Sequence, residues 1–512
     1  MTEKCSLGIE FGSTRIKAIL INEDFTPVAS ASHTWENRFE NGLFTYTQDD
    51  ISTGLKRTYA SLSKDVREKY GEDFSSVKSI CISAMMHGFL AFDKDMNLLT
   101  PFRTWRNVNT EKAAAILSEN LSFNIPLRWS CAHLYQAVID GEEYIQKIDF
   151  VTTLAGYVHY LLTGETVLGV GDASGMFPII NGKYDESRVE IFEKLLREHG
   201  FNKKINDIFP KILPAGVTAG KLTEEGVKYL DESVKLQPCI PFAPPEGDAG
   251  TGMVATNSVT VNTGNISAGT SVFAMAVLKK PLQKSYPEID MVTTPAGDDV
   301  AMVHCNNCSG EVDAWVKLFA DVMNDYGVKP DIGKLYEIFY KAAYSGNTDG
   351  LMSYGFLSAE PIAEIPDGIE MFIKSPTATL NLANFTRSVL YSSLCTLKIG
   401  MDILAEEGID LTKIYGHGGY FKSGRFGAMT AANAFGVPIA VGVSAGEGGA
   451  YGAALLAAYI HNDEQTLDKF LSSKVFASVD ESIINPTDDG IKDFDKFYGR
   501  FIAGLHIIHE KF

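Results

Sequence analysis

The chain has 512 residues, a length that favours more than one domain, and at 45% hydrophobic and 21% charged its composition is that of an ordinary globular protein. Its formal net charge is −19 with no Lys/Arg-rich run, which argues against a nucleic-acid partner and favours solubility. No apolar run reaches the roughly 18 residues that cross a bilayer, the start "MTEKCSLGIE" lacks the basic and apolar regions of a signal peptide, and the seven scattered cysteines fit reduced thiols, so a cytoplasmic protein with no membrane partner is expected.

In chain order, "LGIEFGSTRIKAILI" predicts a β-hairpin. Leu7, Ile9 and Phe11 alternate on one side of it, and Ile16, Ala18 and Leu20 resume after the turn. A strand over residues 77–86 ends in His87-Gly88. Residues 110–163 have a helical pattern that closes with "GYVHYLLTGE". "VLGVGDASGMFPI" predicts strand, loop and strand, and residues 183–240 are mixed and more polar. The Pro/Gly-rich "PCIPFAPPEGDAGTG" marks a domain junction near 242–254.

A second β-rich start follows over residues 259–278. Phe385, Val389, Leu390, Leu394 and Leu397 then share one face of a predicted helix. "KSGRFGAMTAANAFGVP" predicts a helix ended by Gly436, with Pro438 just beyond. Gly269-Thr270-Ser271 follows Gly12-Ser13-Thr14 by 257 residues, and each triplet opens an apolar strand. Two related domains, each beginning strand-turn-strand, are the expectation.

A tight turn of Gly with Ser or Thr offers backbone N–H groups and hydroxyls to an anion, phosphate above all, although a plain hairpin turn uses the same residues. Two such turns could hold one polyphosphate across a cleft. There is no Walker A motif, because "GVTAGKL" has the wrong glycine spacing and Leu222 in place of Ser or Thr, and no GxGxxG follows the first strand. Glu10 beside bound phosphates needs an intervening cation. Hydrated Mg²⁺ suits that place; the alternative is an acid on an exposed edge strand. Cys305 and Cys308 form the one close cysteine pair, without a second CxxC to complete four zinc ligands, so ordinary buried thiols are expected there.

Seven stretches in this order resemble the FGGY carbohydrate kinases, most closely the xylulokinase-like pentulose kinases of the actin/Hsp70/sugar-kinase superfamily. They are "GIEFGSTRIKA", "ISAMMHGFLAFD", "YLLTGE" with "GDASGMFPI", "PPEGDAGTGMV", "ISAGTSVF", "GHGGYFKSGRFGAMTAANAFGVPIAV" and "GEGGAYGAALLAA". The resemblance covers nearly the whole chain. It implies an α/β fold of two ribonuclease-H-like, actin-like ATPase domains, over 1–250 and 251–512, with an ATP and sugar cleft between them. A homodimer stays an open assembly.

The resemblance also implies roles. Asp248 matches the family's general base, which takes the proton of the attacking sugar hydroxyl; a helix cap is its structural alternative. Gly12, Ser13 and Thr14 would cradle phosphates from the first domain, and Gly269 and Thr270 from the second. Gly418, Gly419 and Ser423 match the adenosine loop, where His417 either touches nucleotide or packs. Met86, His87 and Gly88 match the sugar loop, joined by Trp105 and Arg106. Glu10 would hold Mg²⁺, ATP would be the phosphate donor, and Asp172 would organise the domain rather than bind. Three departures stand out. Glu10 replaces the usual Asp, Asn107 and Asn109 stand where xylulokinases carry Asp and Arg, and Glu246 and Ala249 alter the flanks of the base. They fall mostly on the sugar side, so the resemblance fixes the kinase chemistry more firmly than the sugar; "MMHG" makes D-xylulose the first expectation, with L-ribulose or a related ketose open. Two other classes stay in view. One is a nucleotide-gated binding protein of the Hsp70 or actin type; the other is a thiol redox protein acting through Cys305 and Cys308.

Overall fold

The computed structural model describes residues 2–423, 425–442 and 448–511, with backbone alone for Ser423 and residues 509–511. The elements that position the site are, in chain order, β1 (Ser6–Phe11), β2 (Arg15–Ile21), β3 (Pro27–Thr34), α1 (Gln48–Tyr70), β4 (Ser79–Ala84), β5 (Glu246–Gly247), α2 (Asp248–Ala255), β6 (Thr263–Ala268), β7 (Val272–Val277), β8 (Asp299–Cys305), α3 (Leu382–Glu406), β9 (Lys413–His417), α4 (Arg425–Phe435), β10 (Ile439–Val441) and α5 (Gly448–Tyr459).

The chain forms two compact units. The first gathers Met1–Val259, Asp290–Val300 and Gly446–Ser478; the second gathers Thr260–Ile289, Ala301–Ala445 and Val479–Phe512. The predicted junction near 242–254 therefore lies inside the first unit, and the division falls at 259/260. Prolines and glycines there serve a tight, buried strand-to-helix step: Phe242, Ala243 and Glu246 are all 1% exposed or less, and β5 pairs in parallel with β4. Helix α5, although late in sequence, belongs to the first unit. A Cβ on Gly8 of β1 would sit 2.1 Å from the Ala450 carbonyl oxygen, and one on Gly452 would sit 1.9 Å from that of Thr251, so α5 packs backbone to backbone on β1 and α2.

In the first unit β1 and β2 are antiparallel, with Glu10 opposite Lys17, and β1 and β4 are parallel; the sheet order is β5-β4-β1-β2-β3. In the second unit β6 and β7 are antiparallel, β6 and β9 are parallel, and the five inner strands of a seven-stranded sheet run β10-β9-β6-β7-β8. The two sheets thus share one topology, which is what the repeated strand-turn-strand implies. Alternating apolar residues drive both hairpins: Leu7, Ile9, Phe11, Ile16, Ala18 and Leu20 are all 1% exposed or less. Helix α1 closes the first layer and begins with a capping box between Thr47 and Asp50.

The predicted strand-loop-strand over 167–180 differs in detail. Val167–Gly169 is a strand, but Val170–Ala173 turns helically before Ile179–Ile180. The Glu246 carboxylate, described below, holds the first N–H groups of that turn. Helix α4 ends before Gly436, which takes a φ of 67°. Helix α3 is long enough to cross a membrane, with mean hydropathy 1.2, yet 72% of its apolar window is packed inside the second unit, as for a core helix.

Candidate active site

The first turn sits at the end of a central strand, with its carbonyls drawn back into the protein. Gly12 N–H donates to the Arg15 carbonyl at 3.0 Å. The Gly12 carbonyl accepts from the Trp35 indole at 2.7 Å, the Ser13 carbonyl from the Tyr46 hydroxyl at 2.5 Å, and the Thr14 carbonyl from the Trp35 N–H at 3.1 Å. Trp35 and Tyr46 stack with ring centroids 3.9 Å apart, which makes the anchor rigid. With three carbonyls and the Gly12 N–H engaged, the turn presents the Ser13 and Thr14 N–H groups and the hydroxyl of exposed Thr14. The second turn achieves the same with backbone alone. The carbonyls of Gly269 and Thr270 accept from the N–H groups of Ser309 and Cys308, each at 2.9 Å. Both turns have the polarity of an anion site.

Glu10 lies on central β1 and is 9% exposed, so the edge-strand alternative is excluded. Burial raises its carboxyl, while Lys17 and the N–H of Ala450 draw it back down. The Oε2 atom is 3.6 Å from Lys17 Nζ and accepts from Ala450 N–H at 3.2 Å. Among the described residues no group of three or more His, Cys, Asp or Glu could hold a metal ion. A single buried carboxylate such as Glu10 suits Mg²⁺, which keeps waters and takes substrate phosphates around one or two carboxylates.

Asp248 is the first residue of α2, with Gly247 as its N-cap, so it is not the cap itself. The helix N-terminus favours its carboxylate. Its Oδ1 accepts from Met86 N–H at 3.0 Å, which places this carboxylate directly against the Met86-His87-Gly88 loop. Burial pushes Asp248 up to about 6, opposed by the Met86 N–H and aided by the charge of Glu10. A carboxylate with that pKa is poised for proton uptake near neutral pH.

Within the loop, His87 takes a φ of 70°, is 5% exposed and stacks on Trp129 at 6.3 Å, with Nδ1 at 3.4 Å from the Gly175 carbonyl oxygen. Met86 is buried, and Gly88 follows with a φ of 98°. Trp105 donates its indole N–H to Ser13 Oγ at 3.0 Å, joining the sugar-side stretch to the phosphate turn. Arg106 is exposed, with its guanidinium 3.9 Å above the Phe44 ring, and nothing in the first unit draws it toward Asp248. Asn107 bonds the Phe44 N–H at 2.9 Å and the Phe44 carbonyl at 2.7 Å, so it braces a loop.

In the second unit Gly418 has a φ of 93°, and a Cβ there would meet the Ala268 carbonyl oxygen at 2.3 Å, whereas one on Gly419 meets nothing within 4 Å. The loop therefore approaches β6 closely through glycine backbone. His417 Nε2 is buried without a hydrogen-bond partner, and burial lowers the ring to about 4. The backbone of Ser423 ends the short turn Gly419–Ser423, while its side chain lies outside the described residues. Helix α4 next presents Phe426, Met429, Thr430 and Asn433 to a cavity of about 480 Å³. Cys305 and Cys308 are buried free thiols, with burial raising Cys305 and pushing Cys308 up to about 12, far from a reactive thiolate.

The family models match both parts of the chain: the N-terminal domain of the FGGY family of carbohydrate kinases over residues 5–249, and its C-terminal domain over residues 264–461. The chain belongs to the FGGY family of carbohydrate kinases. This FGGY kinase is an ATP-dependent sugar kinase of the actin-like ATPase fold, which decides against a binding protein without an acceptor. It is 23% identical over 446 residues to a xylulose kinase of Haemophilus influenzae, covering 84% of each chain. Its fold is similar to that of a xyloylose kinase from Brucella ovis, with TM-score 0.80 and 18% identity over 99% of each chain. It is similar also to that of a Plasmodium falciparum glycerol kinase solved with ADP, with TM-score 0.78 and 16% identity over 98% of each chain.

Several contributors escaped the sequence reading. Lys17 was legible in principle, because the four residues between the paired Phe11 and Ile16 put it across the hairpin from Glu10. Thr251, whose hydroxyl lies 2.8 Å from that of Ser83, and the Trp35 and Tyr46 anchors come from distant segments with no local signal.

Proposed function

We propose that this kinase transfers the γ-phosphoryl group of ATP to a hydroxyl of a ketopentose, D-xylulose in the first place and L-ribulose or a related ketose next, with Asp248 as general base. The contact of Asp248 with Met86 N–H carries the reading, because it sets a partly buried carboxylate against the "MMHG" sugar loop. The names of the xylulose kinase relatives support the sugar class. In this reading the first domain, expected over 1–250 and extended by the fold through Val259, supplies the sugar loop, the base and the first phosphate turn. The second, 251–512, supplies the Gly269-Thr270 turn and the adenosine loop of Gly418, Gly419 and Ser423. The enzyme acts in the cytoplasm.

Phosphoryl transfer asks the protein for alignment and charge neutralisation more than for covalent chemistry. Met86, His87 and Gly88, with Trp105 and Arg106 alongside, orient the sugar, and the histidine ring can both donate to and accept from hydroxyls. Asp248 accepts the hydroxyl proton as the sugar oxygen bonds to the γ-phosphorus and the bond to the ADP oxygen breaks. The turn of Gly12, Ser13 and Thr14 receives phosphate oxygens through the N–H and hydroxyl groups of Ser13 and Thr14, and the turn of Gly269 and Thr270 through those of Thr270, while the Gly12 and Gly269 N–H groups close their own turns. Glu10 would hold a hydrated Mg²⁺, which when bound offsets phosphate charge. Lys17 would then lie beside that charge on the neighbouring strand.

The test of the substrate is kcat/KM over a panel of ketoses and polyols. D-xylulose is expected to stand highest by at least about tenfold, the scale on which polar contacts discriminate hydroxyl patterns. A different ketose at the top would replace D-xylulose and leave the kinase chemistry standing.

A further inference from the structure

Behind Asp248 lie two more buried carboxyls, Asp172 and Glu246, each 1% exposed. Glu246 accepts the N–H groups of Gly171 at 3.2 Å and Asp172 at 2.9 Å. Asp172 differs from it. Its Oδ2 accepts the Thr153 hydroxyl at 2.6 Å, but its Oδ1 is buried with no hydrogen-bond partner. That atom faces the peptide leading to the base: a Cβ on Gly247 would sit 3.2 Å from it. The same short turn reaches the sugar loop, since Gly175 accepts from or abuts the His87 ring.

Three carboxyls packed this closely, without a cation, cannot all ionise together. The leading charges on the three are acidic: Asp248 and Glu246 beside Asp172, Glu10 beside Asp248, with the buried Tyr184 hydroxyl also facing Asp172. Backbone N–H groups favour the charged forms of Glu246 and Asp248. Asp172 has no such support on Oδ1, where a proton has room.

We propose that Asp172 is a positioning residue for the transfer: held as a neutral carboxylic acid behind the base, it leaves Asp248 the carboxylate that ionises first, and its own ionisation slows the reaction. The proposal rests on Asp248 being the base. Burial supports Asp248 ionising before Asp172, raising them to about 6 and about 7, and it outweighs the N–H groups on Glu246, which is raised to about 8. Once Asp172 loses its proton to solvent, a second negative charge stands behind the base and repels the incoming phosphates.

The experiment is the pH profile of kcat at saturating ATP, Mg²⁺ and sugar. In the wild type the rate should rise through about 6 and fall above about 7. Asp172→Asn, the shape of the neutral acid, should keep the rising limb and a maximal rate within about threefold, while its falling limb moves up by about one pH unit or more. Thr153→Val removes the one hydrogen bond to the charged form and should move the falling limb up as well, which keeps the test alive if Asp172→Asn folds poorly. A falling limb unmoved in the folded variants, or a wild type with no fall between about pH 7 and 9, overturns the proposal. A merely structural Asp172 would lower the melting temperature and leave the profile's shape unchanged. Failure of the base itself reads differently, as turnover surviving in Asp248→Asn at every pH.

Discussion

The two strand-turn-strand halves share a sheet order and an anchoring trick, yet only one of them carries charge. In the first unit the strand before the turn bears Glu10; in the second, Ser267 stands at the matching place, two residues before Gly269. The strand parallel to it ends in Met86-His87-Gly88 in the first unit and in His417-Gly418-Gly419 in the second. The first turn is held by side chains of Trp35 and Tyr46, the second by the N–H groups of Ser309 and Cys308. In the proposed function this becomes a division of labour: one scaffold serves once for acid–base chemistry through side chains and once for nucleotide contact through backbone.

The sharpest way to break this comparison is Asp248→Asn. Turnover should fall by at least about 10²-fold, on the scale of general-base catalysis, with sugar affinity largely kept in equilibrium binding. Near-normal turnover would place the base elsewhere.

The second unit's reliance on backbone is tested by a neighbouring pair. Gly418→Ala forces a side chain into a φ of 93° and against the Ala268 carbonyl, and should raise the KM for ATP by about tenfold or more, since left-handed backbone alone costs about 1–2 kcal/mol. Gly419→Ala, with open space around its Cα, should stay within about twofold. Equal effects would remove the backbone argument.

A smaller effect is expected at the link between sugar side and phosphate turn. Trp105→Phe removes the hydrogen bond to Ser13 Oγ and should lower kcat/KM by about three- to tenfold, matching a net hydrogen bond of about 0.5–1.5 kcal/mol. No change in kcat/KM would make that bond incidental. The smallest effect belongs to Cys305→Ala with Cys308→Ala. The Cys308 N–H that holds the second turn survives the substitution, so activity per folded molecule should stay within about twofold. Loss of activity with a normal melting temperature would bring thiol chemistry back.

Much of the site was legible because its parts are local. A Gly-Ser-Thr turn between apolar runs, a histidine-glycine step after a strand and a glycine-flanked aspartate all announce themselves within a few residues. The unit boundary was not, because Pro and Gly mark a buried strand-to-helix step as readily as a linker; Glu246 and Asp248 sit in that step. Nor was the place of α5, which depends on Gly8 and Gly452 letting backbones touch across more than four hundred and about two hundred residues of chain respectively. Asp172 reads in sequence as an organising residue. Its neighbours Thr153 and Glu246 come from separate segments, so its buried, half-satisfied carboxyl shows only in the fold.

The central claim is that the charged half serves a sugar hydroxyl. ADP formation at saturating ATP and Mg²⁺, with and without D-xylulose and its related ketoses, addresses it most directly. At least one ketopentose should raise the rate by about tenfold or more over the sugar-free ATPase, well below the full scale on which enzymes accelerate phosphoryl transfer. A rate that no ketose or polyol lifts above that basal level would contradict the account.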